Sequence, residues 1–181
     1  MKLFFISLAS SCLSLYIVLP SVQSYKMIIN FGDSISDTGN YLLTGAFKNP
    51  VIGNLPYGMT FFHLPTGRSS DGRVPVDFLT EAFELPFLPP YLTLKKGQDF
   101  YHGVNFAVAS LDPKYFYQRK IGSTLLTNYS LSTQLGWFKK LKSSLCNNKQ
   151  ECDNYFKKAL LLVGEIGGND YNYPFFAGVT V

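Results

Sequence analysis

Histidine is almost missing from this 181-residue chain, which holds only His63 and His102. Neither stands at zinc-ligand spacing from Cys12, Cys146 or Cys152, the three cysteines, so no structural zinc or other metal site is expected. Charge is also sparse, at 15% of residues, with 16 Lys and Arg against 12 Asp and Glu and a formal net charge of +4. So mild an excess leaves no nucleic-acid footprint. The pairs Lys139-Lys140 and Lys157-Lys158 fall near the ends of expected helices, where they complement helix dipoles or solvate a face. A long unbroken apolar run is absent too. Leu3 to Leu19 is interrupted by Ser7, Ser10, Ser11 and Ser14 and is short of the roughly 20 apolar residues a bilayer-spanning helix needs.

What is present is a globular composition, 46% hydrophobic and 16% aromatic, long enough for one core and one domain at most. Lys2, the apolar run and the short residues Val22 and Ser24 form a secretory signal pattern, cleaved after Ser24. Residues 1–24 are thus set apart from a domain over 25–181, and the mature chain is expected outside the cell, without stable membrane insertion. Loss of Lys2 alone takes the formal charge from +4 to +3. Cys146 and Cys152 remain. In an oxidising compartment they pair; they stay free thiols if the segment before them is not a signal. Asn128-Tyr129-Ser130 is a glycosylation sequon, with Asn128 as the acceptor.

The most informative stretch is Phe31-Gly32-Asp33-Ser34-Ile35-Ser36-Asp37-Thr38-Gly39-Asn40, fed by the apolar Met27-Ile28-Ile29. A buried strand over Met27 to Phe31 that stops at Gly-Asp-Ser leaves the Ser34 hydroxyl at the carboxyl edge of a sheet, where open α/β folds bind ligands. Four residues of this kind also make an ordinary turn. Thr44 to Ser70 reads as a long irregular loop held by its aromatics. Val74 to Phe83 reads as a helix with Pro75 near its start, and Leu85 to Tyr91 is broken by proline. Val104 to Val108 is a second short strand. Ser130 to Leu145 is an amphipathic helix with Leu131, Leu135, Phe138, Leu141 and Leu145 on one face. A further helix over Glu151 to Lys158 and a strand over Ala159 to Ile166 complete the series. Strands alternating with helices predict an α/β fold with a parallel sheet.

The ten residues from Phe31 to Asn40 resemble the first block of the plant GDSL esterase/lipase family of SGNH hydrolases. Leu55-Pro56-Tyr57-Gly58 through Arg73 and Asp77-Phe78 is similar to the stretch that follows, as is Leu88-Pro89-Pro90-Tyr91-Leu92. Gly103-Val104-Asn105-Phe106-Ala107 resembles the second block, and Val163-Gly164-Glu165-Ile166-Gly167-Gly168-Asn169-Asp170-Tyr171 the third. The resemblance implies a three-layer α/β/α flavodoxin-like SGNH hydrolase fold, incomplete here, and a serine ester hydrolase that needs no cofactor. Its substrate would be a lipid or a small acylated plant metabolite. In its terms Ser34 is the nucleophile, and Asn169 donates to the oxyanion with backbone N–H groups.

Two features depart from the family. The glycine expected after Asn105-Phe106-Ala107 to complete the oxyanion hole is replaced by a run into Ser110-Leu111-Asp112, so Ser110 is the backbone donor left. The family's base, the histidine of an Asp-x-x-His motif near the carboxyl end, lies beyond Val181. The chain is therefore read as carboxyl-terminally truncated: a fragment, a splice product or a pseudogene product. Asp99-Phe100-Tyr101-His102 has the Asp-x-x-His spacing and offers Asp99 and His102 as a substitute pair, whereas geometry, not spacing, defines a triad. A non-catalytic secreted module that keeps the fold and binds an acyl or glycoside ligand is the reading from another class. A third takes the aromatic loop from Tyr57 to Phe62 as a carbohydrate platform, against the commoner use of aromatics in packing. Oligomeric state is not legible.

Overall fold

The computed structural model describes residues 25–46, 48–93, 100–109, 129–164 and 166–168. Its centre is β1 (Met27–Phe31), whose five residues are all buried. Strand β2 (Gly103–Asn105) lies parallel on one side and β3 (Ala159–Val163) parallel on the other, giving the order β2-β1-β3. Ile28 sits opposite Gly103, and Met27 through Phe31 run opposite Ala159 through Val163. A central parallel strand is covered on both faces, which is why Met-Ile-Ile-Asn-Phe shows no apolar–polar alternation.

The two faces have separate cores. Met27, Ile29 and Phe31 pack with Val104, Phe106 and Leu141, the last from α3 (Leu131–Leu145). Ile28 packs with Val74, Val76 and Leu88 beside α2 (Pro75–Ala82). Helices on both faces make the three-layer α/β/α arrangement. Helix α2 begins as its proline predicts, with Pro75 in the first turn and the Asp77 carboxylate accepting the Val74 N–H at 2.9 Å. Ser130 caps α3, its Oγ accepting the Thr133 N–H at 3.4 Å, and Asn148 caps α4 (Lys149–Phe156) through the Glu151 N–H at 2.9 Å. Cys146, just past α3, is disulfide-bonded to Cys152 on α4. Gly103 sits against β1 so closely that a Cβ there would lie 1.8 Å from the Ile28 carbonyl oxygen, at a φ of 115°. Only glycine fits there.

Several sequence expectations need correction. Leu135 is 40% exposed, while Gln134, passed over as polar, is 1% exposed and faces the sheet. The second strand ends at Asn105 instead of Val108: the Phe106 and Val108 N–H groups still donate to Asn30 and Gly32 on the β1 side, but side chains hold the outer edge. Asn40 Nδ2 donates to the Asn105 and Ala107 carbonyls, and Asn105 Oδ1 accepts the Ala107 N–H. The third strand ends at Val163 instead of Ile166. The helix expected over Glu151 to Lys158 stops at Phe156, so Lys157-Lys158 lead into β3, and Lys139-Lys140 lie inside α3 and not at its end. A short helix not foreseen, α1 (Asn40–Leu43), follows the serine turn. The long loop is ordered and anchored to the fold: Arg68 Nε and Nη2 donate to the two Asp77 carboxylate oxygens at 2.8 and 2.7 Å, and its guanidinium lies 4.5 Å from the Phe62 ring centre. Leu161 and Val163 of β3, opposite Ile29 and Phe31, are 54% and 64% exposed.

Candidate active site

Ser34 lies just beyond the carboxyl end of β1, on a turn closed by the Ser36 N–H donating to the Asp33 carbonyl at 3.2 Å. Asp33 Oδ1 also accepts the Ile35 N–H, at 3.2 Å. This is an Asx-type turn, the local chemistry that Asp favours. Ser34 itself is half-buried, and among the described residues neither its hydroxyl nor its N–H has a hydrogen-bond partner. Beside it Ile35 is 51% exposed, while Ser36 is 7% exposed and its hydroxyl lacks a partner.

Side chains engage much of the backbone around the turn. Asp37, with no exposed surface, accepts the N–H groups of Gly39 and Asn40 on Oδ1 at 2.7 Å each, and those of Tyr41 and Ala109 on Oδ2 at 3.0 and 2.8 Å. Burial pushes its carboxyl up from 3.8 to about 6, against the downward pull of those four donors. Asn105 bridges from β2, its Nδ2 donating to the Ser36 carbonyl and, at 3.1 Å, to Thr38 Oγ1, while its Oδ1 accepts from Asn30 Nδ2 at 2.9 Å. Gln134 Oε1 accepts the Gly32 N–H at 3.1 Å and its Nε2 donates to the Gly32 carbonyl at 2.9 Å.

The long loop packs onto the same turn. A Cβ on Gly39 would stand 2.8 Å from the Thr66 carbonyl oxygen, and one on Gly67 would stand 2.8 Å from Gly39 Cα. Arg68 Nη1 donates to the Thr38 carbonyl at 3.3 Å.

Not every sequence candidate comes together here. The Gly164 N–H donates to the Phe31 carbonyl at 2.9 Å, so the segment leading to Asn169 runs beside the end of β1. Asn169, Ser110, Asp99 and Asn128 lie outside the described residues. The Ala109 N–H is taken by Asp37 and is not free to receive an oxyanion. His102 precedes β2 and accepts the Ile28 N–H on its carbonyl, which puts it at the amino edge of the sheet. Ser34 lies past the opposite edge, three residue steps (Ile28 to Phe31) and a turn away, or about 10 Å along the strand alone. His102 is therefore not the base for Ser34 in this arrangement, and the substitute pair is set aside. His63 is exposed, with a ring nitrogen 3.2 Å from the Met59 carbonyl. Among the described residues no three His, Cys, Asp or Glu group to hold a metal ion, and no helix is long and apolar enough to cross a membrane.

Sequence reasoning missed Asp37, Asn105 and Gln134. For Gln134 a signal was there: 131, 134, 138, 141 and 145 keep helical spacing better than a stripe through 135.

A parallel three-layer α/β domain whose serine, on the turn after the central strand, has no hydrogen-bond partner among the described residues defines the class: a serine-bearing hydrolase scaffold. Residues 28–180 match the family model described as GDSL-like Lipase/Acylhydrolase, and the chain belongs to that family. It is 57% identical over 159 residues to a GDSL esterase/lipase of Arabidopsis thaliana, covering 84% of this chain and 43% of that protein. It is 49% identical over 167 residues to a sinapine esterase of Brassica napus, covering 90% of this chain and 42% of that protein. A second Arabidopsis thaliana GDSL esterase/lipase is 43% identical over 182 residues, covering 98% of this chain and 46% of that protein. The chain thus spans less than half the length of these relatives. No solved structure matches it.

Proposed function

We propose that this chain is the amino-terminal part of a serine ester hydrolase in which Ser34 attacks a carboxylic ester. The observation that carries the reading is the contrast at the turn: the Gly32 N–H and carbonyl, the Asp33 carbonyl and the Ile35 and Ser36 N–H groups are held, while the hydroxyl and N–H of Ser34 are left open among the described residues. The Ser34 oxygen adds to the ester carbonyl, and its proton passes to a base and then to the departing alcohol. The oxyanion is held by the Ser34 N–H, the Asn169 amide and the Ser110 N–H, and water then releases the acyl group from Ser34. The printed name of one relative, a sinapine esterase, supports a small acylated plant metabolite as substrate. Residues 1–24 act as a secretory signal in this reading, with the Cys146–Cys152 disulfide and a glycan on Asn128 suited to the compartment beyond.

Turnover by this 181-residue chain is expected to be slow, since neither of its two histidines is hydrogen-bonded to Ser34. The same observation favours a second reading, a non-catalytic secreted module that uses the scaffold to bind an acyl ligand. Hydrolysis of p-nitrophenyl acetate and labelling by a fluorophosphonate, each beside Ser34→Ala, separate the two. Slow labelling that is lost in Ser34→Ala is expected. Absence of labelling sinks the nucleophile role, and rapid Ser34-dependent turnover sinks the claim of impairment.

A further inference from the structure

The side chain of Gln134 is bonded to the backbone of a residue 102 positions earlier in the chain, two residues before the candidate nucleophile. Past Phe31 the backbone pairing of β1 is partial: the Phe31 carbonyl takes the Gly164 N–H, the Gly32 carbonyl takes the Val108 N–H at 3.3 Å, and among the described residues no backbone carbonyl takes the Gly32 N–H. The Gln134 amide fills that place. Its Oε1 accepts the Gly32 N–H at 3.1 Å and its Nε2 donates to the Gly32 carbonyl at 2.9 Å, as a neighbouring strand would through its own peptide. The Gly32 N–H belongs to the peptide plane before it and the Gly32 carbonyl to the plane after it. One side chain therefore bonds to two successive planes, holding the first alone and sharing the second with the Val108 N–H, and only Asp33 separates the second from Ser34.

A buried amide with no exposed surface to spare is a costly way to fill space. Its polar atoms lose water and must be repaid by hydrogen bonds, so an apolar residue would serve a helix–sheet contact better. Gln134 is 1% exposed and stands in the stripe of Leu131, Phe138, Leu141 and Leu145, between residues that do fill space. Its Nε2 also lies 3.3 Å from the Tyr129 carbonyl, which holds the amide in the orientation that presents its oxygen to the Gly32 N–H.

We propose that Gln134 is the positioning residue of the Ser34 turn, setting the direction of the nucleophile through the Gly32 backbone. The inference rests on Ser34 being the nucleophile. A misplacement of about 1 Å costs a reaction up to about 100-fold, so loss of the lock is read in reactivity at Ser34 and not in ligand affinity.

The test is fluorophosphonate labelling of the chain, resolved into the maximal rate kinact and the half-saturating concentration KI, for wild type, Gln134→Met, Gln134→Glu and Ser34→Ala. Conditions are chosen where circular dichroism shows all four folded. Gln134→Glu keeps size and the acceptor for the Gly32 N–H, but turns a carboxylate oxygen on the Gly32 carbonyl. The expected result is a kinact at least about tenfold lower in both Gln134 variants with KI unchanged. Equal kinact in wild type and both variants overturns the inference and leaves the nucleophile reading intact. Wild type labelled no faster than Ser34→Ala overturns the nucleophile reading and this inference with it. Hydrogen exchange by NMR needs no variant: the Gly32 amide of the wild-type chain is expected to be protected, and exchange at the rate of an open surface amide overturns the lock.

Discussion

Replacing Arg68 by methionine tests what binds the long loop to the serine turn. Arg68 is 6% exposed and Asp77 has no exposed surface, so the pair is dry on both sides. Its two parallel bonds, at 2.8 and 2.7 Å, have the bidentate geometry at which guanidinium and carboxylate match best. Arg68→Met keeps most of the side-chain volume but leaves the Asp77 carboxylate buried with only the Val74 N–H, at 2.9 Å, to answer its charge. Breaking one side of such a pair costs about 3–5 kcal/mol. Asp77→Ala strands the guanidinium instead and also removes the reach-back bond at the start of α2, a further ~1 kcal/mol. The double variant removes both charges, so it should cost less than the two single losses together, by up to ~3 kcal/mol. Urea unfolding at pH 7 reads these values. The single tryptophan, Trp137, is a convenient reporter, as it stacks on Tyr91 at 5.2 Å. A loss below about 1 kcal/mol for Arg68→Met, or additive losses in the double variant, would refute the argument that a desolvated pair anchors the loop.

Stability should also depend on Asp37. Its folded-state carboxyl lies near 6 against 3.8 when solvated, so between those values the folded chain holds a proton that the unfolded chain releases. Stability therefore falls as pH rises through that window, and Asp37→Asn should flatten the slope; chemical denaturation from pH 4 to 7 showing an unchanged slope rejects the assignment. Separately, Cys146→Ser with Cys152→Ser opens a bridge of sequence separation 6. A loop that short predicts a loss of about 2 kcal/mol, and urea midpoints that coincide with and without the bridge would show that it does not constrain the unfolded chain.

The parts of this fold legible in advance are those where one local rule acts alone. Met27 to Phe31 is apolar apart from Asn30 and is followed by turn residues, so both the strand and the serine on the turn after it follow from the sequence. Pro75 marks the start of α2 for the same kind of reason. The errors arise where side chains distant in sequence replace backbone partners. Nothing near Val104 to Val108 announces that Asn40, more than sixty positions earlier, will take the Asn105 and Ala107 carbonyls on its outer edge. Gln134 was passed over because a polar residue in an apolar stripe is discounted by hydropathy, although its bonds to Gly32 are the reason it is buried. Asp99 and His102 have the spacing of a catalytic pair, yet a parallel sheet has two edges, and His102 stands at the wrong one.

The placement of β1 between two later strands has a consequence for synthesis. Ile28 faces Gly103, 75 positions further on, and Met27 faces Ala159, 132 positions further on. Translation at about 5–20 residues per second means that β1 leaves the ribosome roughly 7–26 s before its second neighbour exists. During that interval a strand with two apolar faces, and with both edges open until β2 is made and one thereafter, must be kept from pairing elsewhere. The segment that aims Ser34 is among the first made and among the last to be sheltered.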